Sequence, residues 1–304
     1  MPVRSAASLA AACLVALAAV AGTAPQVAAA DGYTETAATV YTLDPVRGVI
    51  DVAVDVTIAN HKPDVVQSNP CLQWAYDPWL GSYPYSTTCQ STLRSYLYST
   101  SVWVEAEATR IRATTGSTQL KVSVGKPNPY FREVTIAFPN LYSGQTRRIH
   151  VGYTIPGGRP RAENPTRAMQ AYANFCLIAH GYDSGTVSVH LPAGFAVTTT
   201  GSTLTAVTSG SDQVFSSGSV SDPSSWWACI EGTNDAGYAI SEVTAPGGQT
   251  VMLESWPEDA AWTAAIDEDL HADVPSLGSL TGQAMDGSMP LVIRETVTGD
   301  EYAG

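Results

Sequence analysis

Apolar and polar residues alternate along most of this chain. Between Ile50 and Ile58 every second residue is a large aliphatic (Ile50, Val52, Val54, Val56, Ile58), while Asp51, Asp55 and Thr57 stand between them. A period of two sends the five aliphatics to one face of a pleated strand and leaves the other face wet. The alternation returns in Leu120/Val122/Val124, Val134/Ile136/Phe138, Ile149/Val151/Tyr153/Ile155 and Val187/Val189/Leu191. Turn formers separate these runs: Thr115-Gly116-Ser117, Pro127-Asn128-Pro129, Ser143-Gly144, Pro156-Gly157-Gly158 and Pro192-Ala193-Gly194. Short alternating strands joined this way predict a mainly β chain, with an antiparallel β-sandwich-like domain over 31–250.

Two stretches break the pattern. Asp64 to Thr100 is an insertion rich in rings, among them Trp74, Tyr76, Trp79, Tyr83 and Tyr85. Exposed rings make a ligand platform for sugars or apolar groups, whereas rings that bury their area pack onto the body; burial is the commoner fate and the expectation here. Arg159 to Asp183 is the second break, and a short helix is expected from Thr166 to Phe175.

The period changes after Ser255. Pro257-Glu258-Asp259 supplies a proline and acids suited to a first helical turn. Trp262, Ile266, Leu270 and Val274 then recur at spacing four, the apolar stripe of an amphipathic helix, with Leu277 and Leu280 extending that side beyond Pro275. Gly282 to Met289 reads as a loop and Leu291-Val292-Ile293 as a strand. Strand, helix, strand over 251–304 reads as the start of an α/β lobe, one that either leans on the sandwich or waits for more chain. A segment this small buries too little surface to stand alone.

The N-terminus has its own order: Arg4 in a short basic start, an apolar run from Ala6 to Ala21, and Val27-Ala28-Ala29-Ala30 before Asp31. That is the layout of a signal peptide over 1–30, cleaved near Ala30, and it predicts a secreted protein. The run is shorter than the roughly 20 residues of a spanning helix, and Gly22, Thr23 and Pro25 interrupt its end. No membrane span is expected in the mature chain. The formal charge of −13 argues against nucleic acid as a partner. Of the five cysteines, Cys13 leaves with the leader; Cys71, Cys89, Cys176 and Cys229 remain. No two have the close spacing of a structural zinc site, so they read as two disulfides. Four cysteines allow three pairings; Cys71–Cys89 and Cys176–Cys229 are favoured because each brackets a local unit.

Catalytic patterns are missing. His61, His150, His180, His190 and His271 form no His-Glu-x-x-His pair, and no serine sits in Gly-x-Ser-x-Gly. Neither a phosphate loop nor a dinucleotide glycine motif occurs. Glu268 and His271 are three apart on the predicted helix, a spacing that lets both reach one metal. A solvated acidic face with Asp267 and Asp269 is the stronger reading. His150 and His190 fall on the polar positions of their strands, where an exposed imidazole is ordinary.

Several motifs together resemble a known family. They are Tyr41-x-Leu43-Asp44-Pro45 leading through Gly48 to Asn60-His61-Lys62-Pro63, and Trp103-Val104-Glu105-Ala106-Glu107-Ala108-Thr109. Gly181-Tyr182-Asp183-Ser184-Gly185 runs into Val187-x-Val189-x-Leu191-Pro192-x-Gly194-Phe195. Ser255-Trp256-Pro257-Glu258-Asp259-x-x-Trp262, Leu291-Val292-Ile293-Arg294-Glu295 and Tyr302-Ala303-Gly304 follow. These resemble the N-terminal region of secreted bacterial peptidase MA-like proteins, gluzincin metallopeptidases related to the M1 aminopeptidases. The resemblance implies a β-rich domain ahead of a zinc-binding catalytic lobe. The family's zinc ligands and its water-activating Glu would all lie C-terminal to Gly304. No catalytic or metal residue, and no cofactor, is therefore expected in this chain; zinc belongs to a downstream lobe. Peptide or protein substrates would be partners through that lobe. The resemblance also places Glu295, Tyr302, Ala303 and Gly304 where such enzymes offer an edge strand to an extended peptide, although an ordinary first-sheet strand would look the same. Two readings stand: a non-catalytic N-terminal portion of such a peptidase, and a secreted β-sandwich module that binds through its Trp/Tyr insertion.

Overall fold

The computed structural model describes residues 32–209, 212–244, 250–281 and 291–296; the expected leader, its cleavage site, the 282–289 loop and Tyr302-Ala303-Gly304 lie outside them. In chain order the first strands are β1 (Tyr33–Asp44), β2 (Val49–Asn60), β3 (Val65–Asp77), β4 (Gly81–Leu93) and β5 (Tyr96–Glu105). Next come β6 (Thr109–Thr115), β7 (Thr118–Gln119), β8 (Lys121–Val124), β9 (Phe131–Tyr142) and β10 (Thr146–Pro156). They are followed by β11 (Arg167–Ala168), β12 (Tyr172–Ile178), β13 (Ser184–Pro192), β14 (Ala196–Gly201) and β15 (Thr205–Ser209). The last are β16 (Asp212–Val220), β17 (Trp227–Thr233), β18 (Ala239–Thr244), β19 (Thr250–Ser255), α1 (Ala260–Thr281) and β20 (Leu291–Arg294).

One eight-stranded sheet, ordered β15-β16-β13-β1-β2-β10-β6-β7, is the floor of the molecule. Its pairings are antiparallel except β1 with β13, which run parallel. Two smaller sheets, β5-β9-β8 and β11-β12-β17-β14, cover the floor. The core follows from the alternation: Ile50, Val52, Val54, Val56 and Ile58 of β2 are all buried, as are Ile149, Val151, Tyr153 and Ile155 of β10. They meet Val102, Val104, Val134 and Ile136 from one covering sheet, and Phe175, Leu177, Ala228 and Ile230 from the other. The chain is mainly β and sandwich-like. The alternation fades in Leu120/Val122/Val124, where Leu120 is buried but Val124 is exposed. Among the described residues the four-residue β8 is an edge strand, with a neighbour on one side only.

Polar side chains close the strand ends. Asn60 is fully buried; its Nδ2 donates to Leu141 O at 2.8 Å, and its Oδ1 accepts Lys62 N–H at 2.9 Å. This ties the end of β2 to β9 and accounts for an amide at the head of Asn60-His61-Lys62-Pro63. Gly181, at φ 93°, lets the turn before β13 approach β1, because a Cβ there would lie 2.8 Å from Ala37 N. Asp183 Oδ2 accepts Glu35 N–H at 2.6 Å beside it.

The helix expected over 166–175 is absent: the segment forms β11 and β12 instead. Tyr172–Ile178 pairs along its whole length with β17, and Cys176 stands directly opposite Cys229. Ladder pairing and the disulfide outweigh the local preference for a turn of helix. A further three-stranded sheet, β18-β19-β20, includes β18, which precedes the boundary expected at 250. β19 and β20 run parallel, joined through α1, whose Leu270 packs on Val251 and Leu253.

Ile58→Ala should lower the unfolding free energy by about 2–5 kcal/mol, the cost of a core cavity. Lys121→Ala, on the exposed edge, should change it by less than about 0.5 kcal/mol. Urea unfolding followed by tryptophan fluorescence measures both.

Candidate functional site

Three groupings of polar or aromatic residues stand out, and each is built by identifiable elements. The first is inside the sandwich. Tyr41 O–H donates to Glu105 Oε1 at 3.1 Å and accepts Ile178 N–H at 3.1 Å. Glu105 Oε2 and the Tyr153 hydroxyl are buried beside them, and Tyr153 interacts with both Glu105 and Tyr41. Burial drives the Glu105 carboxyl up to about 7, and it drives both phenols above their ordinary value. His180 is buried next to this cluster. Its Nε2–H donates to Trp103 O at 2.8 Å, so Nδ1 is the acceptor for Thr39 O–H at 3.0 Å. Burial lowers this imidazole to about 4, with the Trp103 carbonyl pulling the other way. A neutral histidine bonded at both nitrogens bridges β1 to β5 and holds no free lone pair for chemistry.

The second grouping joins the sandwich to the β18-β19-β20 unit. Arg161, with φ 59°, turns its guanidinium onto Asp259 and lies 3.5 Å from Glu295 Oε1. Both carboxylates are almost fully buried, at 4% and 3% exposure. Asp259 also caps α1, accepting Trp262 N–H on Oδ1 at 3.0 Å. Glu295 Oε2 accepts Trp256 N–H at 2.8 Å, and its own N–H donates to Glu254 O at 2.8 Å. Burial, then the neighbouring Asp259, push the Glu295 carboxyl up to about 8; Trp256 N–H and Arg161 pull it back. Trp256 stacks on Tyr172 of β12 at 5.5 Å, inside a small core with Met169, Ala171 and Tyr238. Arg294 adds a contact over the Tyr238 ring at 4.8 Å and an ion pair with Asp235 at 2.7 Å.

The third is the β3–β4 hairpin, two thirteen-residue strands that, among the described residues, pair only with each other. Cys71–Cys89 crosslinks it, and Cys176–Cys229 links β12 to β17. The expectation that its rings pack onto the sandwich is overturned. Trp74 is 71% exposed, Tyr76 77% and Trp79 93%, and Tyr83 and Tyr85 are also exposed. The reason is topological: a two-stranded ribbon that joins no larger sheet has no body surface under its faces. At the tip, Asp77 Oδ1 accepts Trp79 N–H at 2.7 Å and Leu80 N–H at 3.1 Å, which turns both side chains outward.

Glu268 and His271 sit exposed on α1, and His271 Nδ1 lies 2.8 Å from Asp267 O. Among the described residues no cluster of three or more His, Cys, Asp or Glu could hold a metal ion. His150 is exposed and 2.8 Å from Asp55. Glu295 follows β20 with its side chain turned into the junction, and its backbone N–H faces β19 rather than the free edge. Sequence reading missed His180, Arg161 and the Tyr41–Glu105–Tyr153 cluster as interacting groups. Only a carboxylate inside an apolar run, Val102 to Glu105, signalled any of them. The two disulfides suit an oxidising, extracytoplasmic compartment. No helix among the described residues is long and apolar enough to cross a membrane.

A scan against protein-family models finds no match, and a search of the curated proteins finds none. Solved structures do match. The M1 zinc metallopeptidase from Deinococcus radiodurans aligns at 13% identity and TM-score 0.34, over 74% of this chain and 47% of that one. A mutant of the Deinococcus radiodurans enzyme bound to a Tyr-Ser-Ala substrate aligns at 13% identity and TM-score 0.32, over 74% and 48%. A two-domain M1 zinc metallopeptidase mutant bound to L-arginine aligns at 13% and 0.34, over 86% and 56%. The chain thus spans about half the length of these peptidases.

The raised carboxyls set a pH dependence. Glu105 and Glu295 bind protons in the fold at pH values where the unfolded chain has lost them. Their contribution is therefore full below about 4.5 and is lost as pH rises to about 7 and about 8. His180 acts oppositely, but only below its ordinary 6.5. Unfolding free energy should fall between pH 6.5 and 8, each carboxyl contributing at most about 1.4 kcal/mol per pH unit. Glu295→Gln should flatten the fall above pH 7 in urea titrations at fixed temperature. Arg161→Ala, which leaves two buried carboxylates without their cation, should cost about 1–3 kcal/mol in the same assay at pH 8.

Proposed function

We propose that this chain is the non-catalytic N-terminal part of an exported, gluzincin-type zinc metallopeptidase. The observation that carries the reading is the parallel β19–α1–β20 crossover fused to the end of a β-sandwich. A sandwich does not need a parallel strand–helix–strand unit to complete its core; an α/β lobe begins with one. The family-like motifs support the same conclusion by where they fall. Tyr41 and Glu105 meet in the core, Asn60 closes β2, and Gly181 and Asp183 seat the turn onto β1. Trp256, Asp259 and Glu295 build the junction with the α/β unit. Motif residues that hold joints, rather than line a reactive cleft, suit a supporting part of an enzyme.

In this reading the leader over 1–30 directs export. The His and Glu ligands of zinc come from a lobe that follows Gly304. Zinc held there would supply Lewis-acid polarisation of the scissile carbonyl and a bound water of lowered pKa. The side of β20 that has no neighbour among the described residues, where Leu291 and Val292 are exposed, would lie beside an extended peptide. The exposed arm adds a binding role compatible with this one.

Reading the gene past the codon for Gly304 should reveal an in-frame His-Glu-x-x-His with a Glu downstream; a stop codon at that point contradicts the proposal. The purified chain dialysed against zinc should retain no stoichiometric metal and cleave no peptide. Tight zinc with peptide hydrolysis would mean that the chain carries its own catalytic centre.

A further inference from the structure

We infer that the β3–β4 arm is a binding site for an uncharged polysaccharide chain. This inference does not rest on the peptidase reading. Large apolar side chains are exposed along the arm, from Val65 and Val66 through Leu72, Trp74 and Tyr76 to Leu93. Its even-numbered positions, Leu72, Trp74 and Tyr76 with Pro84 opposite Trp74, share one face of the ribbon. Trp79 and Leu80 extend that surface at the tip, at 93% and 79% exposure. Together these side chains form a patch on the order of several hundred Å², the size that marks an interaction site. An isolated two-stranded ribbon is marginal in water, so the Cys71–Cys89 crosslink holds an otherwise unfavourable exposed surface in shape.

Composition selects the occupant. The formal charge of the chain is −13, yet from Val65 to Leu93 Asp77 is the one ionisable acid or base apart from tyrosine hydroxyls and the crosslinked cysteines. Asp77 is itself engaged by the backbone of the tip. The remaining polar side chains are the hydroxyls and amides of Ser, Thr, Tyr, Gln and Asn. A pyranose ring offers the matching surfaces, an apolar C–H face for an aromatic ring and a rim of neutral hydroxyls for amides and hydroxyls. The arm reaches about 40 Å along its strands, several screening lengths at about 0.1 M salt, so its tip works apart from the acidic body.

Other occupants fit less well. Pro70 and Pro84 both lie in the even-numbered pairs, whose backbone groups face outward, so each strand lacks a donor on its free edge. That blunts strand addition by a peptide or a second copy. A bilayer core would strand the unpaired backbone of both edges, together with Asp77 at the tip. Protein interfaces favour Arg and Met beside their aromatics, and the arm has neither.

The test uses the secreted, disulfide-intact protein in pull-downs and isotherms on microcrystalline cellulose and on chitin, beside phosphatidylcholine vesicles. Retention by at least one polysaccharide and not by vesicles is expected. Trp79→Ala and Trp74→Ala, at positions too exposed to affect folding, should each weaken retention roughly two- to tenfold, and the double variant more. An unchanged thermal midpoint and an intact Cys71–Cys89 link confirm that the variants are folded. Failure to bind either polysaccharide, binding unchanged in the double variant, or capture by vesicles alone would each overturn the inference.

Discussion

The inner face of the eight-stranded sheet cannot be left in water, and most of the molecule follows from covering it. Period-two alternation in β1, β2, β10 and β13 sends Tyr41, the aliphatics of 50–58, Ile149 to Ile155, and Val187 to Leu191 to one side. No single sheet matches that breadth, so two smaller ones share the task. Where they meet, the strand ends bring polar groups inside. Tyr41, Glu105, Tyr153, Thr39 and His180 are buried at that place. The low-dielectric surroundings favour the neutral forms of Glu105 and His180. The cluster fixes how the sheets sit on one another.

The arm and the junction are two departures from this economy. The arm keeps its rings wet because β3 and β4 join no larger sheet, and a disulfide takes the place of packing. The junction buries two carboxylates under one arginine whose backbone sits in the left-handed region. Such a conformation persists where surrounding contacts demand it. Here the demand is that one guanidinium reach both the N-cap of α1 and the residue after β20. Helix, strand and sandwich loop are thereby tied at a single point.

Much of the body was legible in the sequence because alternation is a local signal with one physical reading. The buried face of 50–58, the amphipathic helix around Trp262 and Leu270, and a mainly β, sandwich-like fold all came from spacing. Other features depended on distant partners. Tyr172–Ile178 became a strand because β17 lies alongside, which no window around 166–175 reveals. The rings of Trp74, Tyr76 and Trp79 followed the general tendency to bury until topology removed the surface they would have covered. His180 carried no local mark, since its partners Thr39 and Trp103 are far away in sequence. The Asp259 cap was within reach of the Pro257-Glu258-Asp259 signal, whereas its link to Arg161 was not.

Arg161 with Asp259 and Glu295, and the stack of Trp256 on Tyr172, make the β18-β19-β20 unit structurally continuous with the sandwich. Hydrogen–deuterium exchange of the oxidised protein at neutral pH tests that continuity directly. Amides of β19 (251–255) should open together with those of β12 (172–178), far more slowly than the tip of the arm (77–81). Exchange of β19 at loop rates, while β12 stays protected, would contradict the account.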